Sequence, residues 1–352
     1  MGEMAEERLW LRNQEYYAEQ RITLRLGQPV TAIDPKARKV TVGGDTIAYD
    51  ELALTTGSHP RRLPAAIGGD LAGVYAVRTL ADVDAMKAEF VAGRRLVIVG
   101  GGYIGLEAAA VASKLGLDVT VLEMAPRILQ RVAAPETSGY FRALHAAHGV
   151  KILEETGLER LLGDGRVTGV RLADGTELPA DFVIAGVGIL PGTALAEAAG
   201  LAIENGIKTD EFGRTSDPHI WSAGDCASFP WQGGRLRLES VGNAIDQAEA
   251  VAENILGLGK PYQAKPWFWS DQYDCKLQIA GLNTGYDSVV TRGPEGDAVS
   301  FWYFKGDTLL AVDAMNDPRA YMVGKRLIEN GKSPSKAALA DPATVMKDLL
   351  KA

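Results

Sequence analysis

Hydrophobic and polar residues follow three rhythms along the chain. Between Arg95 and Leu122 a fully apolar strand, Leu96-Val-Ile-Val99, runs into three glycines. An alanine-rich helical stretch from Ala108 to Leu115 follows, then a second apolar strand, Asp118 to Leu122. A continuous apolar run of strand length is what a parallel strand covered on both faces requires. The pattern continues through Val150 to Leu153, a turn at Gly163-Asp164-Gly165, Val167 to Leu172, and the apolar strand Phe182 to Gly186. Before this block the rhythm is shorter. It predicts a helix over Glu6 to Gln20, strands over Ile22 to Leu26, Lys39 to Val42 and Glu51 to Leu54, and a helix over Asp82 to Val91. Gly43-Gly44-Asp45 predicts a hairpin turn into Thr46 to Tyr49. From about Gly206 loops and turns return, ahead of a long helix from about Asn243 to Leu256. Past Gly257 and Pro261 the third rhythm sets in, with aromatics and strict alternation. It predicts strands at Leu277 to Gly281, Ser288 to Thr291, Val299 to Phe304 and Leu309 to Ala314, closed by helices. Strands alternating with helices, followed by a run of strands, predict an α/β fold with a C-terminal α+β domain.

The strongest chemical signal is Gly100-Gly101-Gly102-Tyr103-Ile104-Gly105. Its G-x-G-x-x-G spacing follows a strand, opens a helix and is followed about 20 residues on by an acidic residue, Glu123. Gly100 permits the tight turn, Gly102 lets a pyrophosphate approach the backbone, and Gly105 lets the helix pack on the strand. The helix N-terminus offers N–H groups and a positive dipole end to the phosphates. Glu123 would accept from the adenosine ribose hydroxyls and repel a 2′-phosphate, favouring NADH. Arg127 pulls the other way, because a nearby arginine can hold that phosphate. Tyr103 reads either as a gate over the nicotinamide or as a packing aromatic. Glu107 reads either as a neighbour of the nicotinamide or as a solvent-facing helix carboxylate.

Composition narrows the alternatives. The 352 residues suffice for two or three domains, and the formal net charge of -8 argues against nucleic acid or an anionic membrane as the main partner. Cys226 and Cys275 stand far apart, read as small packing residues, and form neither a disulfide framework nor a zinc spacing. His145 and His148 lie three apart on a helix, where a solvated face is the better reading than a metal site. The acidic start, Met1 to Arg8, lacks the basic and apolar regions of a signal peptide, and a cytoplasmic setting fits.

Three further segments make this more than a plain dehydrogenase: Leu52-Ala-Leu-Thr-Thr56-Gly57, the strand ending Ser222-Ala-Gly224-Asp225, and Glu239-Ser240-Val241 opening the long helix. Together they resemble the pyridine-nucleotide-linked flavoproteins, in which a split FAD domain encloses an NADH domain. Arg78-Thr79-Leu80, Ala223 to Ala227, Glu239 to Gln247 and Trp267 to Tyr273 resemble, within that superfamily, the ferredoxin reductases of bacterial oxygenase systems. The resemblance implies FAD-binding over 1–80 and 206–258, NADH-binding over 81–205, and a C-terminal reductase domain over 259–352. It implies that Asp225 bonds the flavin ribityl chain and that the helix after Val241 points its N-terminus at the pyrimidine ring. It also implies that Val30, Arg78 and Val241 contact FAD and that Trp269 sits near the isoalloxazine. The partner it implies is a small [2Fe-2S] ferredoxin. Ferredoxins are usually acidic, so docking on this acidic chain would need a local basic patch, with Lys305, Arg319, Lys325 and Arg326 as candidates. The family begins with its own FAD-binding strand–G-x-G-x-x-G–helix unit, which this sequence does not contain. The expectation is therefore an N-terminally truncated chain whose neighbouring strands lack ladder partners. An NADH oxidase, peroxidase or nitrite-reductase-like flavoprotein, and a non-catalytic nucleotide-binding remnant, remain open at this point.

Overall fold

The computed structural model describes residues 5–295 and 298–351, so the first four residues of the acidic start lie outside the described residues. Five parallel strands among the described residues carry the glycine loop. Their order is Val74–Tyr75, Phe182–Ala185, Arg95–Val99, Asp118–Leu122, Lys151–Leu153. The central strand is apolar from Leu96 to Val99 because both its faces are covered. Leu96 and Ile98 pack with Ala109 and Ala112 of the helix Tyr103–Lys114. Val97 and Val99 point the other way, onto Val167, Val170 and Leu172. Those residues belong to an antiparallel layer formed by Leu158–Asp164, Arg166–Leu172 and Glu177–Pro179. Side chains alternating across a strand thus bury it against a helix on one face and a sheet on the other.

The C-terminal rhythm forms an antiparallel sheet of five strands among the described residues. Their order is Trp267–Gln272, Cys275–Gly281, Thr308–Met315, Ala298–Lys305, Ser288–Glu295. Alternation again assigns two faces. Val299, Phe301 and Tyr303 pack with Leu106, Ile128 and Phe141 of the nucleotide-binding layer. Trp302 and Phe304 pack on the other side with Leu327 of the helix Pro318–Glu329 and with Leu339. One face therefore welds the sheet to the glycine-loop region, and the other receives the closing helices.

The remaining segments form small sheets around the loop ends. Val30–Asp34, Lys39–Val42 and Asp45–Ala48 make an antiparallel meander. Leu52–Leu54 pairs in parallel with Ile220–Ser222, and Ser58–Pro60 pairs antiparallel with Ile189–Pro191. Among the described residues Leu52–Leu54 has a ladder partner on one side only. The long helix runs over Val241–Ile255. No helix among the described residues is long and apolar enough to cross a membrane.

Three expectations need correction. The single helix over Glu6 to Gln20 is a 3-10 turn at Glu6–Leu9 and an α-helix at Gln14–Glu19. Asn13 separates them because its side chain caps the second, accepting from the Tyr16 amide at 3.0 Å. Ile22 to Leu26 forms no strand, since no described strand lies beside it to supply a ladder. Ile22, Leu24 and Leu26 are exposed instead. His145 lies not on a solvated face but fully buried, bonded to Gln272, while His148 is exposed.

The weld between sheet and glycine-loop region contains a buried carboxylate. Asp313 is 1% exposed and accepts from Thr137 Oγ1 at 2.7 Å and from the Tyr303 hydroxyl. Burial raises its pKa to about 6, against the pull of those two hydroxyls. A carboxyl raised in the folded state contributes stability below its unfolded pKa and loses it as pH climbs through the folded one. Unfolding free energies of the wild type and Asp313→Asn are therefore expected to diverge between pH 4 and pH 7. The wild type should lose roughly 2–3 kcal/mol relative to the variant across that window and no more above it. A difference that stays constant with pH in denaturation experiments would contradict the assignment.

Candidate dinucleotide and flavin site

The glycine loop joins Arg95–Val99 to the helix Tyr103–Lys114, and each glycine occupies a different steric situation. Gly100 has φ +112°, and a Cβ there would lie 2.4 Å from the Gly186 carbonyl. A Cβ on Gly105 would lie 2.1 Å from the Gly100 carbonyl, so the helix can approach the strand only without a side chain. Gly102 differs: its φ is -82°, and a Cβ would meet nothing within 4 Å. That glycine faces open space at the helix N-terminus, where no side chain caps the first turn. Uncapped N–H groups over an open approach fit a pyrophosphate.

Glu123 stands at the end of the neighbouring strand and is pinned by two backbone donors. Its Oε2 accepts from the Gly101 amide at 2.8 Å and its Oε1 from the Ala125 amide at 2.7 Å. Both oxygens keep acceptor capacity for a ribose diol. Arg127 is occupied elsewhere, donating to Ser138 Oγ at 2.6 Å and to the Gln130 carbonyl. Ile104 is exposed at the loop. Tyr103 is built into the interdomain core: its ring lies 5.0 Å from Phe268, and its hydroxyl is buried without a partner. Burial, and then the charge of Asp313, push that hydroxyl's pKa well above the ordinary value.

The flavin-motif residues assemble along one continuous path. Val30 opens its strand and lines a cavity of about 440 Å³ together with Ile33, Val40, Leu54, Thr56 and Leu195. Thr56 Oγ1 donates to the Gly192 carbonyl, and Gly57, at φ +60°, passes close to the Arg78 guanidinium. Arg78 pairs with Asp225 at 3.2 Å. Asp225 also accepts from Ser58 Oγ at 2.9 Å. Gly224, at φ +81°, packs on Ala244 and donates to Gln247 Oε1. Ser240 caps the helix Val241–Ile255 by accepting from the Asn243 amide, and Glu239 pairs with Arg237 at 2.6 Å. Val241 and Trp269 are exposed on this path. The apolar cavity bordered by Thr56, the carboxylate–arginine pair beside Gly57 and the N-terminus of the long helix together fit the polar chain and flat ring of a flavin.

The two regions meet at the strand Trp267–Gln272. Trp267 packs so tightly on the long helix that a Cβ on Gly242 would lie 2.3 Å from its indole nitrogen, and it stacks on Trp269. Phe268 and Ser270 face the other way, onto Tyr103 and Glu107 of the glycine-loop helix. Ser58, Ser270 and Gln272 escaped the sequence reading. Small polar residues beside a turn or inside an aromatic strand carry no local mark of function, and only packing gives them partners. Both cysteines are buried and unpaired, and burial raises the Cys275 thiol to about 11. Among the described residues no group of three or more His, Cys, Asp or Glu could hold a metal.

The glycine loop and the Asp225 path meet across one strand, the arrangement of a flavin- and pyridine-nucleotide-linked reductase. The chain belongs to the pyridine nucleotide-disulphide oxidoreductase family, whose model matches residues 2–248, and a reductase C-terminal model matches residues 267–350. Within that family its relatives are ferredoxin reductases. It is 43% identical over 355 residues to the 5,5′-dehydrodivanillate O-demethylase ferredoxin reductase subunit of a Sphingobium species, covering 99% of this chain and 86% of that protein. It is 41% identical over 360 residues to putidaredoxin reductase of Pseudomonas putida, covering 100% and 85%. The fold superposes on the covalent putidaredoxin reductase–putidaredoxin complex with a TM-score of 0.95, at 41% identity, over 99% of this chain and 86% of that one. Members of this family use FAD and NAD(H).

The loop geometry separates binding from folding. Gly102→Ala is expected to leave stability unchanged and to weaken NADH at least roughly tenfold, because the added methyl occupies the phosphate approach. Gly105→Ala is expected to cost about 3 kcal/mol of stability or more, because its methyl meets a backbone carbonyl. Thermal denaturation and NADH titration of both variants check the contrast, and equal effects on the two readouts would contradict it.

Proposed function

We propose that this chain takes a hydride from NADH and passes electrons through FAD to a small [2Fe-2S] ferredoxin serving an oxygenase. One observation carries the reading: the strand Trp267–Gln272 touches the glycine-loop helix with one face and the helix Val241–Ile255 with the other. The names of the relatives support the class of electron acceptor. Bound FAD would supply the step from a two-electron donor to one-electron acceptors.

The residues of the chain have positioning roles. Gly102 and the amides of the helix Tyr103–Lys114 hold the pyrophosphate of NADH. Glu123 takes the adenosine ribose, and its charge disfavours a 2′-phosphate. Glu107 faces the nicotinamide half. Asp225, oriented by Ser58 and Arg78, accepts from the ribityl chain. The N-terminus of Val241–Ile255 stabilises negative charge on the flavin pyrimidine. Val30, Thr56 and Gly57 line the approach, and Trp269 covers the ring. Residues 81–205, joined by the edge strand Val74–Tyr75, form the NADH-binding unit, the rest of 1–80 with 206–258 the flavin unit, and 259–352 the reductase domain. NADH is drawn from the cytoplasm, where this reading places the enzyme.

Exposed Arg319, Met322 and Arg326 recur at helical spacing on Pro318–Glu329, while Lys325 lies 5.3 Å over the Trp267 ring. Cations around an apolar centre beside the flavin suit an acidic ferredoxin. Lys305 ends the strand Ala298–Lys305 and is the outlying member of the patch.

The first experiment loads the chain with FAD, removes the excess, and follows the flavin band on adding NADH and then a [2Fe-2S] ferredoxin. Bleaching by NADH and recovery with ferredoxin reduction are expected. Steady NADH consumption with oxygen or peroxide alone would point to an oxidase or peroxidase instead, and a colourless protein that binds NADH would point to a non-catalytic chain. The docking face has its own check. Arg319→Glu combined with Arg326→Glu should raise the KM for ferredoxin roughly tenfold at low salt and leave dye reduction by NADH unchanged. An unaltered KM would move the docking face elsewhere.

A further inference from the structure

The inward face of Trp267–Gln272 does more than fill space. Ser270 Oγ lies 2.5 Å from Glu107 Oε1, and Gln272 Nε2 donates to Ser270 Oγ at 3.1 Å. Gln272 Oε1 lies 2.8 Å from His145 Nε2, and His145 Nδ1 lies 3.1 Å from the Tyr273 hydroxyl. Ser270, Gln272 and His145 are each 1% exposed or less. Tyr273 stacks on the exposed His148 ring at 3.7 Å. A file of hydrogen bonds therefore runs from Glu107 on the glycine-loop helix to Tyr273, whose ring stacks on His148 at the end of the helix Pro135–Ala147.

The chemistry of the members gives the file a direction. An ionised Glu107 only accepts, so the one hydrogen of Ser270 goes to it. Ser270 must then accept from its other neighbour, which requires the amide nitrogen of Gln272. The amide oxygen consequently faces His145, whose Nε2 carries the hydrogen and whose Nδ1 accepts from Tyr273. Every donation points towards Glu107. If Glu107 were protonated it could donate to Ser270, and the whole file could reverse by turning the Gln272 amide. The state of the carboxyl and the polarity of three buried groups and the half-buried Tyr273 are thus coupled.

We propose that Ser270, Gln272, His145 and Tyr273 are positioning residues that hold Glu107 as a hydrogen-bond acceptor turned towards the nicotinamide carboxamide. The proposal rests on the reading that Glu107 faces the nicotinamide. Its environment makes such help necessary. Burial raises the Glu107 pKa, the Ser270 hydroxyl pulls it back, and the exposed Asp271 on the same strand raises it again. Tyr103 on its own helix is neutral, with Asp313 and Tyr303 behind it. His145 is held below its ordinary value by burial, against the pull of Gln272, with His148 lowering it further, so a neutral imidazole completes the file.

The test is NADH affinity of the full chain, measured by calorimetry from pH 6 to pH 9, with the buffer dependence of the heat reporting proton uptake. Ser270→Ala removes the donor and lets Glu107 protonate at higher pH. It should bind NADH roughly fivefold to tenfold more weakly at pH 6, release on binding a proton that the wild type does not release, and approach wild-type affinity at pH 9. Ser270→Thr, which keeps a hydroxyl, should restore the wild-type profile. Gln272→Met, of similar length and unable to donate at any pH, should reproduce the acid-side loss. A merely structural role would weaken binding equally at every pH, and that result for both Ser270→Ala and Gln272→Met would overturn the proposal. Glu107→Gln separates the two levels. If it leaves NADH affinity unchanged at all pH values, the placement of Glu107 at the nicotinamide fails. If it weakens binding while Ser270→Ala and Gln272→Met follow the wild type, the placement stands and the positioning file fails.

Discussion

Side chains on a β-strand point alternately to its two faces, and Trp267–Gln272 uses both for different partners. Trp267 presses on Gly242 at the start of the long helix. Phe268 and Ser270 press on Tyr103 and Glu107 of the glycine-loop helix. A shift of one residue in register would exchange the two sets, placing indoles against Glu107 and a serine against Gly242. The register is held by pairing along the full strand with Cys275–Gly281, from Trp267 opposite Ala280 to Gln272 opposite Cys275. The distance between the glycine-loop helix and the long helix thus depends on an antiparallel ladder that belongs to neither.

Burial on both sides of that ladder makes the arrangement stiff. The C-terminal sheet shares a core with Leu106, Ile128 and Phe141 on one face and receives Leu327 and Leu339 on the other. Polar groups trapped in the shared core find partners across it. Asp313 meets Thr137 and Tyr303, and His145 meets Gln272 and Tyr273. Such pairs add direction to an apolar contact that would otherwise tolerate sliding. The Tyr103 hydroxyl, buried without a partner beside them, is the costly exception.

Local pattern was sufficient wherever one short stretch does the work. The strand, glycines and helix at Arg95 to Leu115 are set by steric limits within a few residues. Gly100 and Gly105 meet backbone carbonyls where any side chain would collide. The alternating aromatics of Ala298–Lys305 likewise fall on two cores as their period requires. Pattern failed where a partner was needed. Ile22 to Leu26 has strand-like composition but no neighbour among the described residues, and His145 looked surface-facing until a distant strand covered it.

The residue order by itself determined the α/β class, the dinucleotide loop with Glu123 at its far end, and the Gly224-Asp225 strand end, because each is written in contiguous residues whose conformations exclude alternatives. Tertiary structure alone decided that Ser58 and Arg78 orient Asp225, that Trp267–Gln272 stands between the two sites, and that Glu107 ends a file of buried hydrogen bonds. Those relations join residues up to 167 positions apart. No local rule encodes them, because a hydrogen bond acquires its partner only when the chain has folded back on itself.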